Sequence, residues 1–187
     1  MRVVVTEFVS LDGVMEAPGG EEGYPHSGWV FEYHDSGTEK YKFDELLAAD
    51  ANLLWRVTYE GFAAAWPQRS GPFADQMNGM PKYVVSTTLE EPLEWNNSTL
   101  LAGDAAEAVA KLREQDGGVL LVAGSRTLVH TLMEHDLVDE YRLMVFPVVL
   151  GSGRRLFPDT PEKTKLKHVD TKSFDTGVVV NTYERES

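Results

Sequence analysis

Short runs of apolar residues alternate along most of the chain with segments whose apolar residues recur at helical spacing. Strands joined by helices need crossover connections, so the pattern predicts a mostly parallel sheet with helices on both faces. The predicted strands are Arg2–Phe8, Ala51–Leu54, Lys82–Ser86, Ser98–Leu101, Val119–Val122, Tyr141–Val149, Thr164–Ser173 and Gly177–Arg185. The predicted helices are Glu39–Ala49, Thr58–Ala65, Phe73–Asn78, Asp104–Gln115 and Thr127–Glu134. The last two strands follow one another without a helix, which predicts an antiparallel hairpin.

The segment between Ser10 and Ser36 has no periodic pattern and is long for a connection inside a compact domain. Loops of this length usually belong to a functional site or to a plain surface, and both interpretations stay open here. Within the loop, His26, His34 and Asp35 match no established metal-ligand spacing. We therefore predict no metal centre.

Composition narrows the classes of function. The chain has 187 residues, a formal net charge of −13 and no cysteine. Its length predicts a single domain over residues 1–187, and the missing cysteines exclude disulfides and thiolate chemistry. An acidic chain without a basic stripe repels nucleic acid, so we expect no nucleic-acid partner. No apolar run is long enough to span a bilayer and no signal peptide is recognisable, which predicts a cytoplasmic protein without a membrane partner.

Candidate chemistry lies where predicted strands end. Strand Val119–Val122 leads into the small-residue turn Ala123–Gly124–Ser125, which opens a helix. Such a turn presents backbone N–H groups and the positive end of a helix dipole, which suit a phosphate group. Two further predicted strands end in basic or hydroxyl residues, at Arg56–Thr58 and at Ser86–Thr87. Together the three ends indicate a nucleotide cofactor; the alternative is that Gly124 forms a tight turn without a ligand.

Six short blocks occur in a recognisable order. They are Ser10-Leu11-Asp12-Gly13, R-x-T-Y-E at Arg56 to Glu60, V-S-T-T at Val85 to Thr88, Gly124-Ser125 at a helix start, Leu137-Val138-Asp139-Glu140, and P-V-V-L-G-S-G at Pro147 to Gly153. The chain resembles the dihydrofolate reductase-like superfamily, and more closely the stand-alone proteins grouped with the RibD C-terminal domain, the reductase domain of riboflavin biosynthesis. The resemblance covers nearly the whole chain and implies a three-layer α/β fold with about eight strands and a C-terminal antiparallel hairpin.

The resemblance also implies NADPH as cofactor, bound at the carboxyl ends of the strands. Carried over to this chain, it assigns the diphosphate to Gly124, Ser125 and Arg126. It assigns the 2′-phosphate of the adenosine end to Arg56, Thr58, Ser86 and Thr87. The end of the first strand, with Ser10 and Asp12, would face the nicotinamide and the substrate.

Two departures from the family pattern concern the cofactor and the substrate. Trp55 stands where the family usually has a glycine before the arginine, and its ring either blocks the adenosine end or packs into the core. The acidic segment that grips a pteridine is missing, as is the run that holds a ribose phosphate. Glu39 lies about where the pteridine-gripping acid would fall; its alternative role is in the first turn of a helix. For Asp12 the alternative is a turn-forming role.

The resemblance therefore implies an NADPH-dependent reductase that transfers hydride to a small heterocyclic substrate, pterin- or pyrimidine-like. Its relatives would be dihydrofolate reductase and the 5-amino-6-(5-phosphoribosylamino)uracil reductase of riboflavin biosynthesis. One alternative is a reductase with a different cofactor. Another is a cofactor-binding or regulatory protein that has kept the fold and lost the chemistry. No catalytic proton donor is recognisable.

The resemblance further implies a homodimer that pairs through the region of Tyr141–Val149 and the C-terminal hairpin.

Overall fold

Strands and helices alternate as the apolar pattern predicts in the computed structural model, which describes residues 1–160 and 163–186. Pro161, Glu162 and Ser187, which belong to the predicted domain 1–187, lie outside the described residues. The strands are β1 (Arg2–Ser10), β2 (Ala49–Trp55), β3 (Lys82–Val85), β4 (Ser98–Leu101), β5 (Val119–Val122), β6 (Glu140–Phe146), β7 (Leu166–Ser173) and β8 (Val179–Arg185). The helices are α1 (Ser36–Leu47), α2 (Arg56–Ala65), α3 (Pro72–Gly79), α4 (Ala105–Arg113) and α5 (Arg126–Glu134).

The eight strands form a mostly parallel sheet in the order β4-β3-β2-β5-β1-β6-β8-β7. Strands β1 to β5 pair in parallel, and β8 pairs antiparallel with both β6 and β7. The predicted α/β fold class and the C-terminal antiparallel hairpin are thus confirmed.

Two differences from the predicted elements have a local cause, and a third is a shift in the start of a helix. Strand β6 ends at Phe146, not at Val149, because Pro147 has no N–H group for a sheet and Val148 N–H donates to the Phe146 carbonyl in a turn. Helix α2 begins at Arg56, two residues earlier than predicted. The long loop contains a 3₁₀ helix over Trp29–Tyr33 that the pattern did not predict, formed around the indole of Trp29, which is buried.

The described chain divides into two compact units. The first comprises Met1–Val5 and Lys42–Val138, and the second comprises Thr6–Tyr41 and the described part of Asp139–Ser187. The single domain stays a prediction. Among the described residues, no helix combines the length and the apolar character that crossing a bilayer requires.

The first unit has a core formed by apolar side chains from its strands and helices. Leu54 of β2, Val84 of β3 and Leu121 of β5 are buried in it together with Tyr59 and Trp95. Two helix starts are capped by side chains: Asp104 Oδ1 accepts from Glu107 N–H at 2.9 Å before α4, and Ser125 accepts from Leu128 N–H before α5.

A buried cation holds the amino end of β3. Lys82 is 1% exposed, and its ammonium group donates to the carbonyls of Asn78, Met80 and Asn96 at 3.2, 2.7 and 2.9 Å. The ammonium also lies 4.4 Å from the ring centre of Trp95. Burial lowers the pKa of Lys82 to about 8. The carbonyls at the end of α3 therefore find a donor inside the protein.

The second unit has an aromatic core. Phe146 of β6 meets the rings of Phe8, Trp29 and Tyr33 edge to face, at centre distances of 5.5, 5.2 and 5.8 Å. Val178 and Val180 of the hairpin are buried in the same cluster. This core explains why a 3₁₀ helix forms inside the loop, since it positions Trp29 and Tyr33 on Phe146.

Candidate functional site

Three neighbouring parallel strands of the first unit end at the same edge of the sheet. Leu53 of β2 is paired with Val122 of β5, and Trp55 of β2 is paired with Val85 of β3. Because parallel strands share their direction, the residues that follow them lie at one edge. The three strand ends singled out in the sequence therefore belong to one region, which we call the strand-end site: Arg56, Thr58, Ser86, Thr87, Gly124, Ser125 and Arg126.

Gly124 brings two parts of this site together. It has φ +73°, a conformation that favours glycine, and a Cβ built on it would lie 3.6 Å from Thr58 Oγ1. The turn after β5 thus lies against the first turn of α2. The Gly124–Ser125 peptide bond is cis. Arg126 is the first residue of α5, so the amino end of this helix follows the turn directly.

Arg56 occupies a position that is unfavourable for the helix itself. It is the first residue of α2, where the positive end of the dipole disfavours a cation. Trp55 precedes it in an extended conformation and gives the helix no side-chain cap. The guanidinium Nη1 contacts both carboxylate oxygens of Glu60, at 3.1 and 3.0 Å. A cation at a helix start, beside N–H groups without intrahelical partners, is an arrangement that suits an anion.

Ser86 and Thr87 differ in their surroundings. Ser86 is buried, and its hydroxyl oxygen accepts from the N–H groups of Thr88 and Leu89 at 3.1 and 3.0 Å. Its side chain therefore holds the turn that follows β3. Thr87 is exposed at the same strand end. Of the two, Thr87 is the residue with a hydroxyl on the surface of the site.

Trp55 is half-buried at the end of β2. Tyr59 and Trp95, which lie in the core of the first unit, are 5% and 3% exposed. A half-buried ring contributes less apolar burial than a core tryptophan. The structure therefore leaves part of Trp55 accessible at the end of β2.

In the second unit, Ser10 and Asp12 hold a turn. Ser10 Oγ donates to Asp12 Oδ1 at 2.6 Å and accepts from Val14 N–H at 2.9 Å. Asp12 also accepts from the N–H groups of Leu150 and Gly151, at 3.1 and 2.8 Å. The Ser10 hydroxyl, and then these two N–H groups, outweigh the opposing effect of burial and lower the pKa of Asp12 to about 2. The carboxylate fastens the segment after β6 to the end of β1.

Glu39 lies in the first turn of α1, the alternative considered from the sequence. Its carboxylate is 2.8 Å from His34 Nε2, and both side chains are more than half exposed. Its contact is therefore with His34 and not with Ser10 or Asp12. Within the described ranges, no three acidic or histidine side chains lie close enough together to hold a metal ion.

The family model of the RibD C-terminal domain matches residues 1–180. The chain belongs to this family. A curated relative, the uncharacterised protein YyaP of Bacillus subtilis (strain 168), is 30% identical over 187 residues, which cover 97% of this chain and 94% of YyaP. The resemblance stated from the sequence motifs is therefore confirmed.

Solved structures show the same fold for this RibD C-terminal domain protein. A protein provisionally assigned to riboflavin biosynthesis in Shewanella sp. PV-4 is similar with a TM-score of 0.77, 20% identity and full coverage of both chains. Dihydrofolate reductase from Enterococcus faecalis, solved in complex with NADP(H), is similar with a TM-score of 0.63 and 14% identity, covering 100% of this chain and 97% of its own. The family and these neighbours place the protein among reductase-like folds.

Two residues of this RibD C-terminal domain protein were not predicted from its sequence. Glu60 stands four residues after Arg56, a spacing that could have indicated the ion pair once a helix start at Arg56 was known. Tyr24 donates to the Ser152 carbonyl at 2.7 Å, and burial, then the charges of Glu16 and Asp12, raise its pKa. No pattern in the sequence connects residues 128 positions apart.

Asp12→Asn is expected to lower the free energy of unfolding at pH 7 by about 1.5–3 kcal/mol, because a charged acceptor of backbone N–H groups is lost. The pKa of Asp12 is about 2 in the folded chain and 3.8 ordinarily, so its stabilising effect is complete above pH 3.8 and disappears as the pH falls towards 2. Urea unfolding between pH 7 and pH 2 measures both effects. Asp159→Asn, at an exposed position of the same unit, is the matched control. Equal acid sensitivity of the wild type and Asp12→Asn would contradict this role.

Trp55→Gly is expected to cost less stability than truncation of a core tryptophan. A buried ring costs about 3–5 kcal/mol when it is reduced to alanine, and Trp95, which is 3% exposed, is the comparison within the same unit. Chemical denaturation of Trp55→Gly and Trp95→Ala tests the difference. A loss for Trp55→Gly as large as that for Trp95→Ala would assign Trp55 to the core.

Proposed function

We propose that the protein is an NADPH-dependent reductase that transfers hydride to a small heterocyclic compound of the pterin or pyrimidine type. The observation that carries the proposal is the strand-end site: Gly124 lies against Thr58, and Arg56 stands at the start of α2. The family supports the proposal, as does the structural similarity to a dihydrofolate reductase solved with NADP(H).

The residues of the strand-end site fit a dinucleotide. A Cβ at Gly124 would fill the space beside Thr58 Oγ1, which glycine leaves open for a close approach to the backbone. In this proposal Gly124, Ser125 and Arg126 hold the diphosphate, and Arg56, Thr58 and Thr87 hold the adenosine end. Ser86 contributes by shaping the turn after β3. NADPH, when bound, supplies the hydride, while the protein orients it and tunes the surrounding field.

The same proposal gives the substrate residues of the second unit different roles. Ser10 and Asp12 support the substrate region by holding the turn at the end of β1, since the contacts of both side chains are made within that unit. Glu39 is proposed as a substrate contact because its carboxylate is exposed and its contact among the described residues is with the equally exposed His34.

NADPH at a hundred times its dissociation constant is expected to stabilise the protein by about 2.7 kcal/mol. For a chain of this size the melting temperature then rises by about 5–11 °C.

Arg56→Ala should weaken the binding of NADPH about 10- to 150-fold and leave that of NADH nearly unchanged, because one charge-assisted contact to the 2′-phosphate is lost. Thermal-shift and fluorescence titrations with both dinucleotides measure these effects.

Arg69→Ala is the matched control for this experiment. Arg69 belongs to the same unit, and its guanidinium lies over the Trp66 ring, 4.6 Å from the centre. Its removal changes the net charge equally, and both dinucleotides should bind as they do to the wild type. A flat titration of the wild type with millimolar NADPH would overturn the proposed function. Equal weakening of NADPH and NADH by Arg56→Ala would mean that the 2′-phosphate is bound elsewhere.

A second candidate is a binding or regulatory protein without reductase chemistry, and the half-buried Trp55 at the strand-end site favours it. If the ring covers the adenosine end, Trp55→Gly tightens NADPH binding. Unchanged affinity in that variant removes the main observation in favour of this candidate.

We also propose a homodimer that pairs through the second unit. Within the described residues, β7 is the last strand of the sheet on its side, and its residues from Lys167 to Ser173 are exposed on both faces. Such an uncovered strand is a natural surface for a second copy. Sedimentation equilibrium at micromolar concentration should give about twice the chain mass of 20.8 kDa. A mass near that of one chain would exclude the dimer.

A further inference from the structure

The guanidinium of Arg56 is held by a residue of its own helix. Glu60 contacts it one turn further along α2, with both carboxylate oxygens on the single nitrogen Nη1. Across residues 1–160 and 163–186 these are the hydrogen bonds of the Arg56 side chain, so Nε and Nη2 have no protein acceptor. The two side chains are 39% and 47% exposed.

An ion pair of this kind is weak. Exposed pairs on one helix contribute little because water and salt screen them. The order is also the less favourable one, since the cation precedes the anion along α2 and stands at the positive end of the dipole. A phosphate dianion makes shorter and stronger charge-assisted hydrogen bonds to a guanidinium than a screened carboxylate does. A phosphate group at Arg56 therefore competes with Glu60 for the charge of the guanidinium, even where it binds Nε and Nη2 and leaves Nη1 to the carboxylate.

The cost of this competition depends on the ligand. Once a phosphate binds Arg56, the carboxylate of Glu60 shares the guanidinium with a second anion and weakens its attraction for that anion. A ligand that has a hydroxyl in place of the phosphate leaves the pair of Arg56 and Glu60 intact. The carboxylate of Glu60 thus lowers the affinity for the ligand that carries the phosphate and not for the ligand that lacks it.

We propose that Glu60 limits the preference of the protein for NADPH over NADH by competing with the 2′-phosphate for Arg56. The proposal rests on the function proposed above, since it assigns the adenosine end of a dinucleotide to Arg56. It makes Glu60 a specificity-determining residue that acts through Arg56. The opposite role, in which Glu60 orients Arg56 towards the phosphate, predicts the opposite sign in the same experiment.

The test is a pair of titrations, with NADPH and with NADH, on the wild type and on Glu60→Gln. The amide keeps the size of the side chain and removes its charge. We expect NADPH to bind about two- to fivefold more tightly to Glu60→Gln, the range that corresponds to an exposed ion pair. NADH should bind unchanged, and raising the salt concentration should reduce the difference.

A double mutant separates competition for Arg56 from a general effect of charge. In the Arg56→Ala background, Glu60→Gln should leave the affinity for NADPH unchanged, because no guanidinium remains to compete for. Glu134→Gln at the far end of α5 removes the same charge from an exposed position and should have no effect. Thermal melts of each variant without ligand report any change in folding.

Three results would overturn the proposal. Weaker binding of NADPH to Glu60→Gln would make Glu60 an orienting residue. An unchanged ratio of the two affinities would remove its role in specificity, and tighter binding that persists in the Arg56→Ala background would show that the carboxylate acts without Arg56. In all three the wild type still binds NADPH, so the proposed function stands. No binding of NADPH by the wild type removes both.

Discussion

The pairing of β2 with β5 is the constraint on which the strand-end site depends. It is fixed at the amino ends of the two strands, where Asp50 Oδ2 accepts from Val119 N–H at 2.7 Å across an irregularity in the register. Gly118 permits this contact, because a Cβ on it would lie 2.2 Å from the same oxygen. With the register set there, the turn at Gly124 arrives beside Thr58 at the carboxyl ends. A slip by one residue would turn every side chain of β2 to the other face of the sheet.

Three charged groups of this protein illustrate two physical situations. Lys82 is satisfied by three backbone carbonyls, and Asp12 by the Ser10 hydroxyl and two backbone N–H groups. Arg56 is different, since it stands at a helix start that disfavours a cation and forms a weak, exposed ion pair with Glu60. The first two charges fasten chain segments together. The third stabilises little in the fold and is therefore the best candidate for a functional charge.

The family match and the shared fold both extend over most of the chain. The RibD C-terminal domain match covers residues 1–180, and the similarity to dihydrofolate reductase extends over the whole chain at low identity. Folds of this kind host more than one function, so particular residues, and not the fold, have to indicate NADPH binding. The proximity of Gly124 and Thr58 supports NADPH binding. Trp55 is the residue that favours a protein without this cofactor. Arg56 is proposed to bind the dinucleotide, and Glu60 is proposed to affect which dinucleotide binds more tightly.

Alternation of apolar strands and amphipathic helices was enough to predict eight strands, five helices and a mostly parallel sheet, because these features follow from local periodicity. Local signals also predicted the turn at Gly124. Local signals gave the wrong end for β6 and missed the 3₁₀ helix of the long loop. In these two places Pro147 and the burial of Trp29 determine the backbone conformation.

The roles of individual side chains depended on contacts between distant residues. Asp12 accepts hydrogen bonds from Leu150 and Gly151, and Ser86 holds its own turn, whereas Trp55 stays half-buried. The sequence by itself determined which elements form and which residues end the strands. Only the tertiary structure decided which of those residues make contacts inside the fold and which keep exposed polar groups, because hydrogen bonds and burial join positions that no local pattern relates.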